Sequence, residues 1–214
     1  PELRIKNVHF LRECLQKADI TFTLNDRELA EAISRGVASY HKWNRESLIE
    51  LTPPEVWSQF TLKEFGLSRK QLEPIAEELT YLYETKFYER PLREEIPQVL
   101  ETLQKMGLRI GCISNTQSTT QVPQTLQKYG ISEYFDPVVL SSVYGRRKPD
   151  PSIFYQAARL ANSPTGACAY IGDKINRDVL GAKKAGFQLA VQVRHDFDDG
   201  ELDGGAVPDA VISD

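Results

Sequence analysis

The feature that most constrains the fold is a short apolar run, residues 167–171, that ends in Gly172-Asp173 and is followed by Asp178. Such a run is typical of a buried strand, and the residues after Asp173 are predicted to begin a helix. In a parallel α/β sheet, ligands bind at the carboxyl ends of the strands. Two carboxylates there suit a hard cation such as Mg²⁺, which prefers oxygen ligands. The simpler alternative is a polar turn in which Asp173 or its neighbour caps the helix.

A second predicted strand, residues 110–113, ends in Ser114-Asn115. A hydroxyl beside exposed backbone amides at a strand end can bind a phosphoryl oxygen. Taken alone, an ordinary Ser/Asn turn is the simpler explanation.

A cation precedes a proline-rich turn in the sequence Arg146-Arg147-Lys148-Pro149-Asp150-Pro151. Pro149 restricts the backbone of Lys148 to an extended conformation, so the amine is directed rather than trailing. A solvated basic loop is the alternative interpretation.

The order of these segments resembles the second, third and fourth motifs of the haloacid dehalogenase-like hydrolase superfamily. The motifs are Ser114-Asn115, Lys148-Pro149-Asp150-Pro151, and Gly172-Asp173 with Asp178. The resemblance extends over nearly the whole chain. It implies an α/β fold with a doubly wound parallel sheet, the Rossmann-like core, at residues 91–214. It also implies an inserted α-helical cap domain at residues 1–90.

The resemblance implies a Mg²⁺-dependent phosphatase that hydrolyses a small phosphorylated metabolite through an aspartyl-phosphate intermediate. Lys148 would be the catalytic cation and would also contact the substrate, Ser114 and Asn115 would bind the phosphoryl group, and Asp173 and Asp178 would hold Mg²⁺. Three alternatives stay open: a sugar phosphate mutase, a haloacid dehalogenase, which needs no acidic pair, and a non-catalytic binding member. Substrate specificity in this architecture depends on the shape of the cap and its loops.

The first motif of the family, Asp-x-Asp-Gly-Thr at the end of the first core strand, is absent from the sequence. Asp196-Phe197-Asp198 comes late in the order and lacks Gly-Thr, so a polar loop is the better interpretation. We therefore expect the nucleophile to lie upstream of residue 1 and the sequence to be incomplete, rather than a natural short form. The missing strand would lie between the strands that end at Ser114 and Asp173, so a gap or a segment from elsewhere is expected there.

The pattern of apolar residues divides the chain into a helical part and an alternating part. Residues 1–90 are predicted to contain only helices, with capping boxes at Thr52 and Ser68. The second box is expected to open one long helix that reaches Phe87. Beyond residue 91, helices alternate with strands at 110–113, 138–140, 167–171, 189–193 and 210–212, which favours a parallel sheet.

The composition of the chain argues against some classes of binding partner. The 214 residues carry a net charge of −4, which argues against nucleic-acid binding because such proteins present a basic face. The 3 cysteines follow no disulfide spacing, and no apolar run approaches ~18 residues, so we expect a cytoplasmic protein without a membrane partner. A monomer or homodimer acting on a small phosphorylated substrate is expected. Among the histidines, His41 is the best candidate for a substrate contact.

Overall fold

The computed structural model describes residues 2–88, 91–194 and 205–213, with side chains from residue 5 onward. The chain forms two compact units, one from Pro1–Val99 and Thr116–Ser132, the other from Leu100–Asn115 and Glu133–Asp214. The Asp196-Phe197-Asp198 segment, interpreted above as a polar loop, lies outside the described residues. None of the helices in the described ranges has the length and apolar character needed to cross a membrane.

The first unit is helical. Its helices are α1 (Glu2–Lys17), α2 (Asp26–Ser47), α3 (Pro53–Val56), α4 (Arg69–Leu72), α5 (Ala76–Lys86) and α7 (Gln121–Lys128), while α6 (Ile96–Lys105) begins in this unit and ends in the other. A π-helical turn, Trp57–Thr61, follows α3. The core of the unit comes from apolar side chains of α1, α2, α5 and this turn, among them Leu11, Leu29, Ile33, Trp57 and Leu79. The indole of Trp57 donates a hydrogen bond to Thr80 Oγ1 at 2.7 Å and so ties the turn to α5.

Both predicted capping boxes are confirmed, at Thr52 and at Ser68. The prediction of one long helix after Ser68 is wrong, because α4 ends at Leu72 and α5 begins at Ala76. The cause is Pro74: proline has no N–H to donate to the carbonyl four residues earlier, and its ring clashes with that carbonyl.

The second unit contains the strands, and every strand pair in it is parallel, as predicted. The strands are β1 (Ile110–Ser114), β2 (Phe135–Leu140), β3 (Ala169–Gly172), β4 (Leu189–Arg194) and β5 (Ala210–Ser213). The helices between them are α8 (Ser141–Tyr144), α9 (Pro151–Leu160) and α10 (Leu180–Lys184), the last preceded by a π-helical turn at Ile175–Val179. Alternating strands and helices give the α/β class that the sequence predicted.

The strands form two separate ladders. β1 pairs with β2, with Ser114 opposite Leu140, and β3, β4 and β5 pair in that order. Within the described ranges β1 and β3 share no ladder. The division falls between the strands that end at Ser114 and Gly172, where the sequence predicted a gap.

One face of the second unit's sheet is packed. Ile153 and Phe154 of α9 and Ala182 of α10 are fully buried together with Ala190 of β4. Some apolar residues of β3 and β5 lie outside this packed cluster and are exposed, including Ile171 at 55% and Ile212 at 50%. Helices α9 and α10 therefore cover one face of the sheet that contains β3 and β4.

We predict that Gly36→Ala destabilises the first unit. A Cβ at Gly36 would lie 2.5 Å from Thr61 Cα and 2.6 Å from the carbonyl oxygen of Phe60. Backbone atoms cannot move aside as a flexible side chain can, so we expect a loss of about 1–3 kcal/mol in the free energy of unfolding. Helix propensity alone would give the opposite sign, a gain of about 1 kcal/mol.

Urea unfolding measures this effect. Ser39→Ala, at an exposed position of the same helix, is the control and is expected to be neutral or slightly stabilising. A Gly36→Ala protein more stable than the unsubstituted one would contradict the close approach of α2 to the π-helical turn.

Candidate active site

The predicted site residues lie at or after the carboxyl ends of β1 and β3, except Lys148, which follows β2 and α8. Ser114 is the last residue of β1 and Asn115 follows it; Gly172 ends β3 and Asp173 follows it. Lys148 lies between α8 and α9, and Asp178 lies in the π-helical turn before α10. All of them belong to the second unit.

The ammonium group of Lys148 is the centre of the arrangement. Its Nζ is 2.7 Å from Asp178 Oδ1 and donates hydrogen bonds to the Tyr170 hydroxyl at 2.7 Å and the Ile113 carbonyl oxygen at 3.0 Å. The side chain of Lys148 is 12% exposed and that of Asp178 is 3% exposed. The cation is therefore buried, paired, and held between residues of β1 and β3.

The backbone of Lys148 is fixed by Asn115. The Lys148 N–H donates to Asn115 Oδ1 at 2.8 Å, and Asn115 Nδ2 donates to the Lys148 carbonyl oxygen at 3.1 Å. The sequence predicted Asn115 as a substrate-binding residue. In the structure its side-chain amide holds Lys148, so any contact with a phosphoryl group would come from its backbone.

Asp178 depends on the glycine at the end of β3. A Cβ at Gly172 would lie 2.5 Å from Asp178 Cγ, so the carboxyl group occupies space that another residue would fill. Asp178 Oδ2 also accepts a hydrogen bond from the Lys174 N–H at 3.0 Å. Burial by itself raises the pKa of Asp178, but the charge and hydrogen bond of Lys148 outweigh it and leave the pKa below its ordinary value. The group is thus a carboxylate at neutral pH.

Tyr170 is a member of this cluster that the sequence did not reveal. Its hydroxyl donates to Asp178 Oδ1 at 3.2 Å and accepts from Lys148 Nζ. Burial, and then the nearby charge of Asp178, raise the pKa of Tyr170 well above its ordinary value. The hydroxyl is therefore neutral and links the two charges. Its position in a strand of apolar residues resembles that of a core aromatic, so no sequence signal distinguishes it.

Asp173 is placed differently from Asp178. Its side chain is 43% exposed, and its Oδ2 lies 3.7 Å from Lys174 Nζ. The described part of the chain contains no group of three or more His, Cys, Asp or Glu that could hold a metal ion. One or two carboxylates completed by waters and substrate oxygens are nevertheless a usual set for Mg²⁺. The donor chemistry of Asp173 and Asp178 thus fits this ion.

Ser114 and His41 are found in different units. Ser114 is partly buried at the end of β1, in sequence next to Asn115. His41 belongs to the helical unit, where its Nε2 lies 3.1 Å from Nε2 of Gln117. Ser114 is therefore linked to the Lys148 cluster by its covalent bond to Asn115. A contact between His41 and the substrate stays a prediction.

We predict strong coupling between Lys148 and Asp178. Lys148→Met or Asp178→Asn alone leaves a buried charge without its counterion and should cost about 3–5 kcal/mol in the free energy of unfolding. The double variant should lose less than the sum of the two, with a coupling energy of about 1–3 kcal/mol. Chemical denaturation of the four proteins measures it.

The exposed pair Lys183 and Asp209 provides a matched control. Its Nζ–Oδ1 distance is 2.8 Å, but the side chains are 36% and 35% exposed. The same cycle, with Lys183→Met and Asp209→Asn, should give a coupling energy below about 1 kcal/mol. Equal coupling in both cycles would contradict the importance of burial for the Lys148 pair.

Comparisons with known proteins identify the family of this chain. The family model described as haloacid dehalogenase-like hydrolase matches residues 5–186. A glyceraldehyde 3-phosphate phosphatase of Methanopyrus kandleri is 32% identical over 121 residues, which cover 56% of this chain and 51% of the relative. An N-acylneuraminate-9-phosphatase of Homo sapiens is 30% identical over 120 residues, covering 56% and 48%.

A solved structure extends the likeness to the whole fold. The crystal structure of a HAD phosphatase from Thermococcus onnurineus has a TM-score of 0.62 and 22% sequence identity, over 99% of this chain and 86% of that chain. At this identity the structural likeness establishes the fold alone. The chain spans about half the length of the curated relatives that it matches.

Proposed function

Because this chain belongs to the haloacid dehalogenase-like hydrolase family, we propose that it acts in a Mg²⁺-dependent phosphatase that hydrolyses a small phosphorylated metabolite. The observation that carries the proposal is the buried ammonium group of Lys148 between residues of β1 and β3. A fixed cation at the carboxyl ends of parallel strands is suited to a phosphoryl group. The two curated relatives, both called phosphatases, support the same reaction class.

The residues of this chain would position and neutralise the phosphoryl group. Lys148 would neutralise charge on the phosphoryl oxygens, and the Ser114 hydroxyl would donate a hydrogen bond to one of them. The backbone N–H of Asn115 or Thr116 would donate another. Phosphoryl transfer is catalysed largely by such positioning and charge neutralisation.

The nucleophile would be an aspartate on a strand upstream of residue 1, as the resemblance implies. Its carboxylate would attack phosphorus while the ester oxygen leaves as an alcohol after taking up a proton. Water would then cleave the aspartyl phosphate and release inorganic phosphate. The division between β1 and β3, with Lys148 directed into it, supports this placement.

Asp173 and Asp178 would hold Mg²⁺, which supplies Lewis-acid neutralisation of the phosphoryl oxygens when it is bound. The two carboxylates would contribute unequally. Asp173 is exposed enough to be a direct ligand, whereas Asp178 is already paired with Lys148 and would act mainly through it and through water. A metal-independent haloacid dehalogenase needs no such acidic pair, which disfavours that alternative.

The helical residues 1–90 would form the cap that selects the substrate, and residues 91–214 would form the catalytic core. A cytoplasmic monomer or homodimer is the setting that we propose for this activity. The absence of a disulfide spacing among Cys14, Cys112 and Cys168 supports a reducing compartment.

We predict that Lys148→Ala lowers turnover of a phosphorylated metabolite by a hundredfold or more, about 3 kcal/mol of transition-state stabilisation. The measurement is phosphate release by the intact protein with Mg²⁺, over a panel of phosphorylated metabolites. Lys183→Ala, which removes an exposed cation of the same unit, should leave turnover unchanged. Unsubstituted turnover in Lys148→Ala would sink the role of this cation.

We predict that Asp173→Asn abolishes both activity and its response to Mg²⁺, because a direct carboxylate ligand is lost. Asp178→Asn should retain a response to Mg²⁺ with turnover reduced about ten- to a hundredfold. Titrating phosphate release against Mg²⁺ and then adding a chelator separates the two. Activity that is indifferent to the chelator would rule out the metal and favour a dehalogenase.

A further inference from the structure

Tyr170 of β3 is the neutral member of the cluster around Lys148. Its hydroxyl accepts a hydrogen bond from Lys148 Nζ at 2.7 Å and donates to Asp178 Oδ1 at 3.2 Å. All three residues belong to the second unit, so these contacts lie within a single unit. A change at the hydroxyl therefore acts on the buried cation directly.

The ring of Tyr170 is held by other aromatic side chains. Its centroid is 5.0 Å from that of Phe154, with the two planes at 67°, and 6.4 Å from that of Phe187. Phe154 is fully buried, and the absence of a side chain at Gly181 leaves room for its ring. Aromatic pairs prefer such edge-to-face arrangements. The position of the ring is thus set by packing that does not involve the hydroxyl.

The amine contacts Tyr170 through the hydroxyl and not through the face of the ring. Lys148 Nζ is 5.3 Å from the ring centroid but 2.7 Å from the hydroxyl oxygen. An amine above the ring face would lie farther from the oxygen than from the centroid. Removal of the oxygen atom alone would therefore take away this contact and leave the packing of the ring in place.

Each N–H of the Lys148 ammonium group has an acceptor. The group has three donors, and its acceptors are Asp178 Oδ1 at 2.7 Å, the Tyr170 hydroxyl at 2.7 Å and the Ile113 carbonyl oxygen at 3.0 Å. A phosphoryl oxygen must therefore take the place of one acceptor. Asp178 is the counterion of a buried cation and is costly to give up. The Ile113 carbonyl is neutral and the most distant of the three, so it is the acceptor most readily exchanged.

Tyr170 can satisfy the Ile113 carbonyl when the amine leaves it. Its hydroxyl lies 3.4 Å from the Ile113 carbonyl oxygen and 3.2 Å from Asp178 Oδ1, so its proton has two acceptors within reach. Hydroxyl protons rotate to suit their acceptors. Asp178 would keep two donors, Lys148 Nζ and the Lys174 N–H. The exchange would therefore leave neither acceptor without a hydrogen bond, which avoids the cost of an unsatisfied group.

We propose that Tyr170 is a positioning residue: its hydroxyl holds the Lys148 ammonium group in place while the amine exchanges the Ile113 carbonyl oxygen for a phosphoryl oxygen. This inference rests on the proposed function. Tyr170 itself does not touch the phosphoryl group, because its oxygen accepts from Lys148 and its proton is turned to the Ile113 carbonyl. It acts through Lys148.

A cycle of two substitutions tests this role in turnover. Tyr170→Phe removes the hydroxyl and keeps the ring, so we expect kcat for phosphate release by the intact protein with Mg²⁺ to fall about tenfold. KM should change by less than about threefold, because charge neutralisation by the amine matters most in the transition state. In a Lys148→Ala background the same substitution should have no further effect, because the amine that it positions is gone.

Tyr155→Phe is the matched control for the cycle. Tyr155 is exposed, belongs to the same unit, and donates its hydroxyl to the Lys184 carbonyl oxygen at 3.3 Å. Its kcat should equal that of the unsubstituted protein. Unchanged kcat in Tyr170→Phe would overturn the proposal. An equal loss in both backgrounds would overturn it as well, because it would show a general effect on the fold rather than an action through Lys148.

Hydrogen exchange of the Lys148 ammonium group tests the positioning without turnover. Its ¹⁵N–¹H signal is identified by its loss in Lys148→Arg. We expect the ammonium protons to exchange with water about tenfold faster in Tyr170→Phe than in the unsubstituted protein, and at an unchanged rate in Tyr155→Phe. Equal rates in Tyr170→Phe and the unsubstituted protein would contradict the proposal. This comparison needs no active variant, so it decides the matter even where Lys148→Ala does not fold.

Failure of the proposed function gives a different result. An unsubstituted protein that releases no phosphate from any ester with Mg²⁺ contradicts the phosphatase assignment, while the exchange measurement still shows whether Tyr170 holds the amine. Phosphate release that is as fast in Tyr170→Phe as in the unsubstituted protein contradicts the positioning role alone.

Discussion

The buried ammonium group of Lys148 is the constraint on which the second unit depends. A cation removed from water must be paired and hydrogen-bonded, or the site cannot be stable. Asp178 supplies the charge, and Tyr170 and the Ile113 carbonyl supply the remaining acceptors. The glycine at position 172 follows from the same need, since a side chain there would occupy the space of the Asp178 carboxyl group.

The sequence predicted the class of fold and the neighbourhood of the site because both depend on simple rules. Parallel strands deliver their carboxyl ends to one edge, so Ser114, Lys148 and Asp178 were expected near each other. The bonds by which the Asn115 side chain holds the Lys148 backbone were not predicted, because they depend on which way a side chain turns after a strand. Tyr170 was missed because its spacing within β3 is that of a packed aromatic residue. The periodicity of apolar residues does not show where the Asn115 amide or the Tyr170 hydroxyl points.

The same limit applies to the helical unit. Charged residues on an amphipathic helix are expected to face water. The sequence therefore does not indicate that Glu77 and Glu84 of α5 accept hydrogen bonds from another segment of the protein. Their partners follow more than thirty residues later in the chain, at positions 116–120, and no spacing connects the two segments. The end of α4, in contrast, could have been predicted, because Pro74 breaks the helical pattern by a local mechanism.

The contacts of Lys148 have a consequence for the order in which the chain folds. They join Lys148 to Ile113 across 35 residues and to Tyr170 across 22. Nonlocal contacts form later than helices, because a long loop must close before they are rewarded. We therefore expect the amine to keep its hydration until β1 and β3 have both been brought to it. A collapsed chain with only one of these strands in place would have to strip water from an unpaired ammonium group, so the cation opposes premature compaction and favours the correct arrangement of the strands.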